Sequence, residues 1–107
     1  MAKVKNMTSN TTGRAIPNQF IIMEYGQGSL GNFLRRETFQ SYGSVIVIVT
    51  TWAEDGHLSQ TKTELDVDKW NYSKTTGRYR SQFLGETRKE TKQKIKSGEY
   101  KLANLNQ

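Results

Sequence analysis

"SVIVIVTTW", residues 44–52, decides how the rest of the chain is read. Its β-branched side chains lose rotamer freedom in a helix and pack well on a pleated surface, so a run bounded by Gly43 and by turn residues reads as a strand. The apolar character is nearly unbroken rather than alternating. That predicts a strand covered on both faces, at the centre of the core.

Working outward, both flanks extend the same sheet. Upstream, "FLRRETFQSY" (33–42) has the Thr, Phe and Tyr content of extended chain and reaches the central strand through a tight turn at Tyr42-Gly43. Before it, "QFIIMEY" (19–25) is an apolar run of strand length, followed by the loop "GQGSLGN". Downstream, "AEDG" (53–56) carries the Asp-Gly pair of a hairpin turn, and "HLSQTKTELDV" continues as a more polar partner strand nearer an edge. Residues 1–16 contain "MTSNTTGRA", rich in Ser, Thr, Asn and Gly without periodic apolar positions, and read as a flexible arm. Order is expected to begin near Pro17.

The character changes at Trp70. Ser73 has the chemistry of a helix N-cap, Tyr72, Tyr79 and Phe83 recur at near-helical spacing, and Gly85 stands where a left-handed C-terminal residue belongs. These signals predict a helix of about three turns, in which Gly77 costs about 1 kcal/mol relative to Ala. Glu86 to Ser97 predicts a second helix, with Glu90 pairing with Lys94 one turn on, acids early, bases late, and Gly98 terminating it. Its apolar face is little more than Ile95, assisted by Thr87 and Thr91, and the tail "EYKLANL" is expected to pack through Tyr100, Leu102 and Leu105. The expected architecture is α+β, an antiparallel sheet of about four strands followed by two C-terminal helices. Residues 17–107 form one domain, divided into a β-meander (17–68) and a basic helical part (69–107).

Composition bounds the function. With 107 residues, 34% hydrophobic content and a mean hydropathy of −0.77, one thin core is all the chain supports, yet eleven aromatic residues argue against disorder. The absence of cysteine excludes disulfides, thiolate metal sites and cysteine nucleophiles, and favours an intracellular setting. No apolar run approaches the roughly 20 residues of a bilayer span, and the charged start "MAKVKNMTSNTTGR" has no hydrophobic stretch after it. The net charge of +6 is unevenly spread: residues 1–23 carry three basic and no acidic groups, 24–68 three basic and seven acidic, 69–107 ten basic and three acidic. Such a bipolar field draws anionic partners to one end.

Three motifs invite chemistry. Gly26, Gly28 and Gly31 spell G-x-G-x-x-G after a strand, the pattern that lets backbone approach a pyrophosphate. The residues after it read extended and the chain has no βαβ unit, so a strand connection is preferred. Glu64, Asp66 and Asp68 alternate on one strand face, where carboxylates can hold a hard cation; a solvated edge or a counter-charge to the basic helices is preferred. His57, the sole histidine, has no positioned partner or nucleophile. No catalytic, metal or cofactor site is expected, and the chain reads as non-enzymatic. The repeated "TTGR" (11–14 and 75–78) is taken as a coincidence of common residues.

The basic segment remains. Lys74, Arg78 and Arg80 fall in the first helix, and Arg88, Lys89, Lys92, Lys94 and Lys96 in the second, with Tyr72 and Tyr79 interleaved. Guanidinium groups pair bidentately with phosphates, lysines add point charges, and tyrosines stack on unpaired bases. Alternatively Tyr72, Tyr79 and Phe83 anchor the core and the lysines merely solubilise a polar helix. For the aromatics packing is preferred; for the arginines both readings stay open.

Two resemblances bear on this segment. In "FLGETRKETKQKIKSGEYK", Leu84, Gly85, Thr91, Ile95, Ser97, Gly98 and Glu99 look like the helix-turn-helix core of excisionase-type DNA-binding proteins. More of the chain, through "ETFQSY" (37–42), the "WxYSxTTxRYRxQFLGE" pattern from Trp70 to Glu86 and the closing "KSGEYKLANLN", is similar to a group of small bacteriophage-encoded proteins of uncharacterised function. That resemblance implies a phage context, the cytoplasm of a host cell, and an insertion at Gly26–Leu34. The expected function is a small phage protein that engages nucleic acid through Lys74, Arg78, Arg80, Arg88, Lys89, Lys92 and Lys96 with Tyr72 and Tyr79. The alternative is an inhibitor of a host nucleic-acid-processing protein, anti-defence or host-takeover, such as an anti-CRISPR protein.

Overall fold

Ser44–Trp52 is the fourth strand of a six-stranded sheet whose spatial order follows the chain. The computed structural model describes residues 2–26, 34–52 and 60–106. Strands β1 (Ala2–Thr8), β2 (Ala15–Tyr25), β3 (Arg35–Ser41), β4 (Ser44–Trp52) and β5 (Gln60–Asp66) pair antiparallel with their sequence neighbours. Helices α1 (Lys74–Leu84) and α2 (Arg88–Ser97) then cross to β6 (Tyr100–Ala103), which lies parallel to β5. A parallel neighbour requires a crossover of this kind, so the helices are the link that makes the last pairing possible.

The α+β class and the two C-terminal helices agree with expectation, whereas the sheet is mixed and has six strands rather than about four antiparallel ones. Neither extra strand carries a strong local strand signal: β1 is rich in polar residues, and β6 is only four residues long. The expected arm contains β1, and its Ser/Thr-rich stretch is the hairpin loop to β2, where the Ser9 hydroxyl accepts from the Thr11 and Thr12 amides and Gly13 takes φ 73°. Order therefore begins well before Pro17. Where β1 slips register between Asn6 and Thr8, Met7 is buried with Ile16, and the Asn6 side-chain amide donates to the Ile16 carbonyl at 3.0 Å. The short β6 depends on tertiary pairing that no local pattern announces.

The core forms on one face. In register across the sheet, Phe39, Val47 and Leu65 are fully buried, and Phe83 of α1 stacks on Phe39 with ring centroids 5.7 Å apart. The next row, Ile22, Thr38, Ile48 and Glu64, points the other way, and Ile22, Ile48 and Glu64 are only partly buried. The central strand is thus less completely covered than its composition predicted. A bulge opposite Phe39/Gln40 buries two consecutive residues of β4, Ile46 and Val47.

Asp66 ends β5 and ties down the turn and the C-terminal segment beyond it. Its carboxylate accepts from the Asp68 and Lys69 amides at 3.2 and 3.0 Å and from the Leu105 amide at 2.8 Å. Burial alone would raise its pKa, but these amides, with the Asn106 side chain, hold it below the usual carboxylate value. Asn106 in turn brackets Val45 with two backbone bonds of 2.7 and 2.8 Å. Of the alternating acids, Asp66 is a structural clamp, Glu64 pairs with Lys62 at 3.8 Å, and Asp68 is exposed in the turn. The Asp55-Gly56 turn, His57, Gly28 and Gly31 lie outside the described residues. Among those described, no helix is long and apolar enough to cross a membrane.

Candidate nucleic-acid interface

Helix α1 begins where the Ser73 hydroxyl accepts from the Thr76 amide at 3.1 Å, and it ends at Gly85, left-handed with φ 70°. Between these caps, Thr76, Tyr79, Arg80 and Phe83 recur at the i, i+3, i+4, i+7 spacing of one helix face. That face meets the sheet. Thr76 Oγ1 lies 2.9 Å from Ser41 Oγ in a buried hydroxyl pair, and Tyr79 and Phe83 pack against the core.

The position of Arg80 on this stripe overturns its expected role on the surface. It is 0% exposed, its guanidinium lies 5.2 Å from the Trp70 ring, and Nη1 donates to the Trp70 carbonyl and, at 3.4 Å, to Asn71 Oδ1. Its Nε–H is buried without an acceptor, and among the described residues no carboxylate is within ion-pairing distance. Burial lowers its pKa, repulsion from the Arg88 guanidinium adds to that, and Glu86 offsets part of it. A buried arginine with a second arginine as its electrostatic neighbour is an unusual arrangement for a fold to maintain.

Above Arg80 a cleft of about 440 Å³ opens between the start of α1 and the start of α2, lined by Asn71, Tyr72, Ser73, Lys74, Gly77, Arg78, Arg80, Ser81 and Arg88. Four of these side chains are cationic and none is acidic. Tyr72 is 48% exposed, with Lys69 Nζ 5.4 Å from its ring centre. Tyr79 instead serves as a core contact with Arg78 over its ring at 5.6 Å, in agreement with the preference for packing.

Helix α2 is set by a capping box: Glu90 N–H donates to Thr87 Oγ1 at 3.2 Å and Thr87 N–H to Glu90 Oε1 at 3.0 Å. Glu90 is therefore engaged at the helix start and does not pair with Lys94. On the outer side, Arg88, Lys92 and Lys96 follow one another every fourth residue with Lys89 beside them, all exposed and within an arc of about 100°. Lys74, Arg78, Arg88, Lys89, Lys92 and Lys96 make no ion pair with a described residue.

Lys94 behaves differently. Its Nζ sits 2.7 Å from Glu86 Oε2, while Glu86 Oε1 accepts from Tyr100 Oη at 2.7 Å and Thr91 Oγ1 at 3.0 Å. The Glu86 side chain is only 4% exposed. Burial pushes Glu86 upward, but Lys94, Tyr100 and Thr91 together bring it below its ordinary value. The hydrogen bond to Glu86 raises Lys94, and burial with the same carboxylate pushes Tyr100 up to about 12.

The structure therefore brings Lys74, Arg78, Arg88 and Tyr72 together around a buried Arg80 and sets Lys89, Lys92 and Lys96 on an adjoining ridge. Sequence reasoning missed Asn71, Gly77 and Ser81 in the cleft wall, and the Ser9–Thr11 loop, which meets Arg78 and Gln82 from the other side. Gly77 was the available signal, because a glycine inside a helix costs stability and here it lies in the cleft wall against the Arg80 guanidinium. Comparison of the chain with protein-family models, with curated proteins and with solved structures found no match.

Proposed function

We propose that this chain binds nucleic acid through the α1–α2 surface, with Lys74, Arg78, Arg88, Lys89, Lys92 and Lys96 contacting phosphates. One observation carries this reading: these six exposed cations have no ion-pairing partner among the described residues, whereas Lys94, the cation that the fold uses, is held by Glu86. A merely solubilising surface would intersperse acids, as the Arg35–Glu37 and Lys62–Glu64 pairs do on the sheet. Phosphate contacts of this kind position a strand without reading its bases, so binding is broad in sequence and steep in salt.

Fluorescence anisotropy with single-stranded DNA, duplex DNA and RNA at low salt tests the reading. On duplex DNA, six contacts give a log–log salt slope no steeper than about −5. The double reversal Arg78→Glu/Arg88→Glu weakens binding irrespective of sequence and flattens the slope by about 2 or more. Absence of binding to all three nucleic acids overturns the proposal. A stoichiometric protein partner that survives nuclease treatment in a lysate pull-down replaces it with the inhibitor reading.

A further inference from the structure

We infer that the cleft above Arg80 is a seat for a phosphomonoester, the terminal phosphate of a strand or a free nucleotide, distinct in task from the lysine ridge that holds internal phosphodiesters. The strand as a source rests on the nucleic-acid reading above; the anion itself does not.

Three features separate the cleft from an ordinary basic surface. Its floor is a fully buried arginine whose Nε–H finds no acceptor among the described residues, and its wall holds Lys74, Arg78 and Arg88 with no carboxylate among the lining side chains. Buried polar groups are almost always satisfied, so an arginine kept in this condition beside a second arginine is arranged for an external acceptor. Its shape is the second feature. A concavity of about 440 Å³ accommodates a nucleotide-sized group end-on, while an internal diester, with chain leaving on both sides, stays at the rim. Charge is the third: a monoester carries about two negative charges and three terminal oxygens near neutral pH, which suits several converging cations better than a diester with one. Tyr72 at the rim offers a ring for the attached base.

Gly77 supplies a variant that acts on the cleft alone. The three atoms nearest a Cβ there all belong to the Arg80 guanidinium, Nη1 at 3.6 Å in ordinary contact, so Gly77→Ala keeps the helix and places a methyl group between the cleft and the buried cation. The experiment titrates two oligonucleotides of one sequence, bearing a 5′-phosphate or a 5′-hydroxyl, at constant salt, with inorganic phosphate and a 5′-mononucleotide as competitors. The wild type is expected to prefer the phosphorylated end by about tenfold. Gly77→Ala reduces that preference, and Lys92→Gln/Lys96→Gln weakens both ligands alike. Competition by the mononucleotide as strong as by the phosphorylated strand identifies a free nucleotide as the source, and weaker competition identifies the strand end.

Equal binding of the two ends, or a preference that Gly77→Ala leaves intact, overturns the cleft assignment and leaves the surface reading in place. If neither oligonucleotide binds, the cleft is judged on small anions alone, and the nucleic-acid reading fails when single-stranded DNA, duplex DNA and RNA all stay unbound. A thermal shift with phosphate or mononucleotide in the wild type that Gly77→Ala abolishes then sustains it, and no shift overturns it.

Discussion

Arg80 and Glu86 flank the end of α1, both buried and both ionic, and the fold treats them in opposite ways. Glu86 is surrounded by Lys94, Tyr100 and Thr91, so its carboxylate oxygens meet donors and its charge is stabilised despite burial. Arg80 receives one backbone carbonyl, an asparagine oxygen and the face of Trp70, but no ion-pairing carboxylate among the described residues, only the partial offset of Glu86. The first arrangement joins α2 to β6 and favours the folded state. The second leaves a buried cation lining a cleft, where on the reading proposed above an external anion, rather than a carboxylate of the chain, completes its contacts. Two buried charges a few residues apart are thus held in different ways, one with an ion-pairing partner and one without such a partner among the described residues.

Removing Glu86 breaks the contrast most severely. Glu86→Ala leaves the Thr91 and Tyr100 hydroxyls and the Lys94 ammonium without their shared acceptor and is expected to cost about 2–3 kcal/mol of stability in denaturant titrations. Because Lys94 is itself partly exposed, the ion pair contributes less than a fully buried one.

Acid should weaken the same clamp by degrees. Glu86 and Asp66 are held below their ordinary values of 4.5 and 3.8, so the stability they contribute is complete above those values and is lost as pH falls through the lower folded ones. Thermal unfolding followed across mildly to strongly acidic pH should show the decline, and Glu86→Ala should make it shallower. An identical acid dependence in wild type and variant would show that the carboxylate is not held as described.

Arg80→Met should do least to the fold. It removes two hydrogen bonds and a cation over Trp70, but also the cost of burying an uncompensated charge, and the net change in stability is expected to stay within about 1 kcal/mol. A loss as large as that of Glu86→Ala would mean that Arg80 is a structural residue like its neighbour.

How much of this the sequence disclosed depends on which interactions are local. The central strand, the Ser73 cap and both glycine stops were legible because β-branching, Ser73, Gly85 and Gly98 act within a few residues of themselves, whereas Thr87, read as part of the apolar face of the second helix, is its N-cap. The outer strands were not, since β1 offers only Val4 and Met7 as apolar positions, and Val4 is 65% exposed. For the site, the cations were visible as a composition, but which of them is buried required the helical register. Thr76, Arg80 and Phe83 share a face by spacing alone, a count that a charge-based reading passed over in favour of the expectation that arginines lie outside. The partnership of Glu86 with Tyr100 was hidden for another reason: it spans a helix and a strand, and Glu90, one turn nearer to Lys94 in helical terms, looked like the natural mate.

The spatial order of the strands has a consequence for how the molecule assembles. A chain leaving the ribosome can zip each of its first five strands onto the one before it, closing short loops at low entropic cost. The outer flank of β5 stays bare until Tyr100–Ala103 arrives after both helices, and only then do the bonds of Asp66 to Leu105 and of Asn106 to Val45 lock the last arrivals to the middle of the sheet. Between the arrival of β5 and that of β6 the sheet therefore keeps an open, adhesive border, and residues 100–106 act as its latch.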